Sequence, residues 1–288
     1  MAQRSARWGA VFFTALAILA YIPAHAAADK GPLRIGTTAV FLDDQIGFLR
    51  QWGAYLGRRL SRPVRFIQRR SYREIVDLLM KDDIEFAWVC GYPYVRGEPH
   101  LKLVAVPLFE GRPLYRSYVI VPRSDDRTRS LLDLKGRIFA FSDPLSNSGW
   151  LVPTANLREH GLDPAHFFSR TFFTWAHRRV VDAVAAGLAD GGAIDGYIYE
   201  TLVKLHPELA RQTRIADKSA EYGFPPIVSA PGTTTADITA LRRALLDMGN
   251  DPEGRVLLDN LNLTGFTAGS PELFEGIRRN RALVEGRP

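Results

Sequence analysis

The groups in this sequence best suited to hold a ligand lie in Phe141-Ser142-Asp143-Pro144-Leu145-Ser146-Asn147-Ser148-Gly149. A β-like run ends at Phe141, small hydroxyl-bearing residues follow, and a helical stretch begins after them. A helix start exposes backbone N–H groups and carries a partial positive charge. With Ser146, Asn147 and Ser148 beside it, several donors would converge on one point, which is how an anion is held without a fixed cation. A tetrahedral oxyanion, rich in acceptors, suits such a nest. Serines are also ordinary N-caps, so local chemistry leaves both readings open.

Other chemistries have less support. Ser148, His177 and Asp195 have the residue types of a triad, but there is no G-x-S-x-G elbow. HExxH, CxxC and dense His/Asp clusters are also missing from the sequence. No catalytic residue, metal or cofactor is therefore expected. Cys90 is the single cysteine, so it has no intramolecular disulfide partner. It reads either as a small buried hydrophobe or as a soft ligand. A thiolate repels phosphate but suits a soft centre such as trivalent arsenic.

These residues need a scaffold, and the pattern supplies one. Leu33 to Gly36 reads as a strand, and Asp43 to Leu60 has helical periodicity in Ile46, Leu49, Trp52, Leu56 and Leu60. Val64 to Gln68 is a second strand. Ser71 and Glu74 form a capping box ahead of Ile75, Leu78 and Leu79. Phe86 to Val89 is a third strand, ending at Cys90-Gly91. This βαβαβ order predicts a parallel sheet with helices on both faces. A second set follows: a strand at 137–141, a helix from Ser148 to His160 stopped by Gly161, a strand at 171–174, a helix from His177 to Leu188 and a strand from Ala193 to Ile198. Pro225 to Ser229 reads as a return strand. Two closing helices are expected, at 238–248 with Asp237 as N-cap and at 252–261.

The bulk properties agree. The chain has 288 residues, 46% hydrophobic and 24% charged, which excludes collagen, coiled coil and disulfide-dense mini-proteins and predicts about two domains. Its 37 basic and 31 acidic residues are scattered and give a formal charge of +6, so no nucleic-acid footprint is evident. Arg4 and Arg7, the apolar run Val11 to Ile22 and Ala24-His25-Ala26 match an export signal, with cleavage expected near Ala26 and residues 1–26 removed. The apolar run is short for a membrane span. An exported, periplasmic protein is expected.

The stretch FAFSDPLSNSGWLVP resembles the D-P-x-S-x-S-G-x-x-x-P signature of the substrate-binding proteins of phosphonate, phosphite and phosphate ABC importers. Further landmarks of that family follow the same order: L-R-I-G, E-F-A-W-V-C-G-Y-P-Y-V, S-L-L-D-L-K-G, A-H-R-R-V-V-D-A-V-A-A-G and D-G-G-A-I-D-G-Y, across most of residues 33–265. The resemblance implies an α/β, two-lobed type II periplasmic-binding fold, each lobe a mostly parallel sheet flanked by helices, joined by a two-stranded hinge. Lobe 1 would be 31–118 plus 228–288, and lobe 2 would be the inserted 119–227.

The resemblance also implies a site. Ser146, Asn147, Ser148 and Gly149 would hold the oxyanion, with Asn147 where the family often has Thr. His177 would touch the ligand. Asp195 would face the cleft and meet an amine or a protonated oxygen, with Tyr197 beside it as a wall. Tyr92 or Tyr94 would close over the anion, with Cys90 at the cleft edge. Thr37, Thr38 and Phe41 would lie at the end of the first strand, where Ala39 to Leu42 is more apolar than a typical phosphonate site. The implied partner is the membrane permease of an ABC importer, and the protein would be a monomer. The alternative comes from arsenite-sensing relatives, which use one such cysteine and signal to a membrane histidine kinase.

Overall fold

The computed structural model describes residues 31–37 and 46–286. The export signal, Thr38, Phe41 and the expected helix start at Asp43 fall outside the described residues. In chain order the strands are β1 (Leu33–Thr37), β2 (Val64–Gln68), β3 (Phe86–Trp88), β4 (Lys102–Leu108), β5 (Leu114–Pro122), β6 (Ile138–Phe141), β7 (Arg170–Phe173), β8 (Gly191–Asp195), β9 (Thr213–Gly223), β10 (Ile227–Ser229) and β11 (Gly265–Thr267). The α-helices are α1 (Ile46–Leu60), α2 (Tyr72–Met80), α3 (Gly91–Gly97), α4 (Val152–Glu159), α5 (Pro164–Phe167), α6 (His177–Ala185), α7 (Gly196–Leu205), α8 (Pro207–Ala210), α9 (Thr235–Leu246), α10 (Pro252–Asn260) and α11 (Glu275–Glu285).

The strands form two sheets. One has the order β11-β4-β10-β3-β1-β2, the other β7-β6-β8-β5-β9. Both are mixed rather than mostly parallel. β1 pairs in parallel with β2 and β3, and β6 with β7 and β8, each through a helical crossover. β10 then enters the first sheet antiparallel to β3 and β4, and β5 enters the second antiparallel to β8 and β9. The long strands β4, β5 and β9 carry no strong alternation and are absent from the sequence-based expectation.

The chain passes from the first sheet to the second between β4 and β5, at 109–113, and returns between β9 and β10, at 224–226. Tyr118 is interior to β5 and pairs with Ile194 and Lys218, so it belongs to the second sheet.

Helix α1 covers the first sheet with the stripe its periodicity marks. Leu49, Trp52 and Leu56 are buried, and the Trp52 ring stacks on Phe66 at 4.9 Å and meets Trp88 edge-on at 6.0 Å. Burying such a side chain stabilises the fold by about 2–3 kcal/mol. Helix α2 starts as its capping box predicts: Glu74 N–H donates to Ser71 Oγ at 3.3 Å, and Ser71 N–H donates to Glu74 Oε2 at 3.0 Å. The second sheet has a phenylalanine core, in which Phe139 and Phe168 stack at 4.4 Å.

Two helix starts differ from expectation. Thr234, not Asp237, caps α9, since its Oγ1 accepts from Asp237 N–H at 3.1 Å. An N3 amide needs an acceptor three residues upstream, and Thr-x-x-Asp supplies it. The strand expected to reach Ile198 ends at Asp195, whose carboxylate caps α7. Gly192 on β8 lets α6 lie close: a Cβ there would come within 2.5 Å of Val180. That close packing sets the position of His177 at the start of α6.

Candidate functional site

Between β6 and α4 the chain does not start an ordinary helix. Residues Asn147–Leu151 form a π-helical turn, a rare local form enriched at functional sites. Pro153 contributes to it, because it has no N–H to donate to the Gly149 carbonyl one turn back. That carbonyl accepts from Ser142 N–H instead, at 3.3 Å. Ser146 is the N-cap, its Oγ accepting from Gly149 N–H at 2.9 Å. Gly149 has to be glycine, since a Cβ would fall 1.8 Å from Ser142 Oγ.

Other elements converge on this turn. Ser117 on β5 donates its hydroxyl to the Ser148 carbonyl at 2.6 Å. Tyr115, two residues earlier on the same face of β5, accepts from Asn147 Nδ2 at 3.0 Å. His177 Nε2 lies 3.4 Å from Ser146 Oγ, and its Nδ1 accepts from Asp195 N–H at 3.1 Å. A backbone N–H can only donate, so Nδ1 is the bare nitrogen and the ring proton sits on Nε2. Burial pushes the His177 pKa down to about 3, so the ring is neutral. Ser146 Oγ thus receives Gly149 N–H and His177 Nε2–H, which leaves its own proton free to point at a ligand.

Asp195 is fully buried, and burial pushes its carboxyl up to about 7 against the lowering effect of the two amides it caps. One oxygen, Oδ1, accepts from Tyr197 N–H at 2.9 Å and Ile198 N–H at 3.4 Å. The residue therefore holds α7 as well as bordering the site. Near neutral pH it exists as a mixture of acid and carboxylate.

The first sheet supplies the facing wall. Cys90 ends the chain leading from β3, and its Sγ accepts from Asn147 N–H at 3.2 Å. Burial raises its pKa, so the sulfur is a thiol at neutral pH. Thr37 ends β1 in register with Trp88 and is buried. A second link joins the two walls: Asp143 Oδ2 accepts from Tyr72 N–H at the start of α2, at 3.2 Å, while Oδ1 accepts from Leu145 N–H at 2.7 Å.

Ser142, Ser146, Asn147, Ser148, His177 and Asp195 are all buried. Thr37 Oγ1, Ser142 Oγ and Asn147 Oδ1 have no hydrogen-bond partner among the described residues. Buried polar atoms are normally paired, so a cluster of unpaired ones calls for an explanation. No Lys or Arg side chain is buried among the described residues. The site is thus lined by neutral hydroxyls and amides, with the carboxyl groups of Asp195 and Asp143 beside them. Among the described residues no group of three His, Cys, Asp or Glu is placed to hold a metal ion.

The expected tyrosine contacts lie elsewhere. Cys90 to Tyr94 is not a turn but the N-cap and first turn of α3. Both rings are engaged by other elements. Tyr92 donates its hydroxyl to Glu285 Oε1 at 2.8 Å and stacks on Trp150. Tyr94 meets Phe274 edge-on in the core, with its hydroxyl toward Glu98. Tyr197, expected as a cleft wall, packs against Phe109 and Phe224 and donates to the Leu261 carbonyl. Sequence reasoning missed Tyr115 and Ser117. Their signal was a pair of polar-tipped residues two apart on one strand face, the spacing that puts both hydroxyls on one side.

Comparison with known proteins places this geometry in context. The family described as ABC transporter, phosphonate, periplasmic substrate-binding protein matches residues 44–274. The phosphate-import protein PhnD of Mycolicibacterium smegmatis is 29% identical over 160 residues, 51% of this chain and 48% of that protein. A probable ABC transporter phosphite-binding protein, PhnD1 of Prochlorococcus marinus, is 23% identical over 58% of this chain and 59% of that one. The chain thus matches about half the length of these curated relatives. Among solved structures, a binding-protein component of an ABC phosphonate transporter from Pseudomonas aeruginosa superposes with a TM-score of 0.81 at 22% identity, over 89% of this chain and 87% of that one. The PhnD1 structure from Prochlorococcus marinus, in complex with methylphosphonate, gives a TM-score of 0.79 at 19% identity, over 88% and 98%. These likenesses show the two-lobed type II periplasmic-binding fold.

Proposed function

We propose, from the premise that this chain belongs to the periplasmic substrate-binding proteins of ABC phosphonate transporters, that it closes around one small oxyanion of the phosphate, phosphite or phosphonate class. It then delivers that anion to an ABC permease from the periplasm, where the export signal at its N-terminus directs it. The observation that carries the reading is the buried turn 146–149. Its Ser148 carbonyl, Asn147 side-chain amide and Ser146 hydroxyl are held by Ser117, Tyr115 and His177 on one side, and its Asn147 N–H meets the Cys90 sulfur on the other.

Neutral donors suit an anion that must also leave. Backbone and hydroxyl dipoles at a helix start stabilise negative charge without the permanent counter-ion that would hold it too tightly. The carboxyl of Asp195 fits a ligand that still carries a proton: a ligand O–H donates to the carboxylate, or the protonated carboxyl donates to a ligand oxygen. A fully deprotonated ligand would meet the carboxylate as a like charge.

The two sheets are the cores of two lobes, and the crossings at 109–113 and 224–226 are the hinge segments between them. A ligand touching both walls makes contacts that the separated lobes lack, so it shifts the population toward closure. Cys90–Asn147, Asp143–Tyr72 and the Tyr92–Trp150 stack are among the protein's own contacts across that closure.

Titration calorimetry at neutral pH with phosphate, phosphite and methylphosphonate tests the reading. Saturable binding of at least one, weakened about tenfold in Ser146→Ala, is expected. Absence of heat with all three would remove it. A ligand at about 100 times its Kd also adds about 2.7 kcal/mol to stability, a shift visible in a thermal melt.

A further inference from the structure

The Trp175 indole is exposed next to the anion site, and the fold places it with care. Its side chain is 46% exposed. Its backbone φ of 64° is in the left-handed region, which a bulky residue occupies only under strain. Trp175 N–H donates to the Ser142 carbonyl at 2.7 Å and Thr174 N–H to Phe141 at 2.9 Å, so the strained turn is fixed to the end of β6. The result is an indole displayed at the surface, where such strain points to function.

Trp175 borders a pocket of about 380 Å3 whose walls come from both sheets: Asp143, Pro144 and Leu145 on one side, Arg70, Ser71 and Arg73 on the other. A second pocket of about 210 Å3 continues it through the shared Arg73 and Leu145 toward Met80, which is also exposed. Arg69, Arg70 and Arg73 are exposed along this rim. Trp, Met and Arg are the residue types enriched where proteins dock. Asp143 and Tyr72 N–H join the two walls, so the patch is whole only while the lobes are together. The anion site itself is buried, so a partner cannot inspect the ligand and has to read closure from outside.

We propose that this composite patch is the surface by which the closed protein docks on an acidic segment of its membrane permease. The proposal rests on the solute-binding function above. Charge complementarity selects the occupant: arginines on the rim attract carboxylates, and the displayed indole packs against the segment once it arrives. The open protein, with its two walls apart, offers a partial surface and docks more weakly.

The test uses Trp175→Gly and Arg70→Glu, with Arg70→Lys as the conservative control. Glycine keeps the Trp175 N–H bond to the Ser142 carbonyl and relieves the left-handed backbone. Purified variants are titrated with phosphate and methylphosphonate, and cells carrying the same variants beside their own permease are assayed for uptake of the radiolabelled anions. The expected result is a Kd within twofold of wild type, a melting temperature for Trp175→Gly no lower than wild type, and uptake at least tenfold slower for Trp175→Gly and Arg70→Glu. Arg70→Lys keeps more than half of the uptake. Wild-type uptake by both altered proteins overturns the docking surface, as does loss of anion binding in Trp175→Gly. A wild type that binds neither anion overturns the solute-binding reading and this proposal with it, a failure recognised because it shows before any substitution.

Discussion

The two walls of the site are built differently. The second-sheet wall brings Ser142, Ser146 to Gly149, Tyr115, Ser117, His177 and Asp195 together, nearly all of them hydrogen-bonded to one another. The first-sheet wall contributes Thr37 and the Cys90 sulfur, set in an apolar core of Trp52, Trp88 and Phe66. One wall is a preorganised set of dipoles, and the other is a rigid apolar face with two small polar tips. Such a division lets chemistry reside on one lobe while the other acts as a lid whose main contribution is to exclude water.

If the walls differ in this way, substitutions should separate stability from binding. Trp52→Ala empties a buried, doubly stacked position on the lid side and should cost about 3–5 kcal/mol of stability. In the surviving folded protein the Kd for phosphate or methylphosphonate should change by less than threefold, as checked by denaturant melts and calorimetry. A hundredfold loss of affinity there would erase the contrast.

Gly149→Ala should do the reverse. Its Cβ would strike Ser142 Oγ and displace the turn, so affinity should fall at least a hundredfold while the far-UV spectrum is kept. Smaller still, Ser146→Ala on the donor wall should cost about 1–2 kcal/mol of binding, about tenfold, against twofold to threefold for Thr37→Val on the lid. Equal losses at the two positions would show that both walls share the chemistry.

Acid and base profiles sharpen the same comparison, since His177 and Asp195 both lie on the donor wall. His177 has its pKa depressed from 6.5 to about 3, so its contribution to stability is present above pH 6.5 and lost as pH falls toward 3. Asp195 has its pKa raised from 3.8 to about 7, so its contribution is present below pH 4 and lost as pH rises toward 7. The two trends oppose each other in the wild type. Asp195→Asn should therefore become more stable relative to wild type as pH rises from 4 to 7, and His177→Gln should do so as pH falls from 6.5 to 3. Each trend is on the order of 4 kcal/mol across its full range. Flat difference curves would show that neither group is buried as described. Last, Asp143→Asn leaves one acceptor oxygen for the two amides, Tyr72 N–H and Leu145 N–H, that the carboxylate accepts separately, so one bond is lost and closure should weaken by about threefold.

Local signals served well where the physics is local. The Ser71–Glu74 box, the left-handed Gly161 after α4 and the stripe of Leu49, Trp52 and Leu56 depend on neighbours within a few residues, and each is where its pattern places it. The donor-rich run 142–149 was visible for the same reason. Tyr92 and Tyr94 misled because an aromatic-Pro-aromatic run looks like a turn, whereas Pro93 sits early in α3, where its missing N–H costs nothing.

What the sequence determined by itself was the alternation of strands and helices, the position of the hydroxyl-rich turn and the family that both resemble. Those properties follow from periodicity and capping, which act over one or two turns of chain. Packing of distant segments is what brings Tyr115 and Ser117 to the turn, turns the Tyr92 hydroxyl to Glu285 and the Tyr94 ring to Phe274, keeps His177 neutral and raises the pKa of Asp195 to about 7. Each of these depends on which distant segment removes water from a group, and burial arises only when the whole chain has packed.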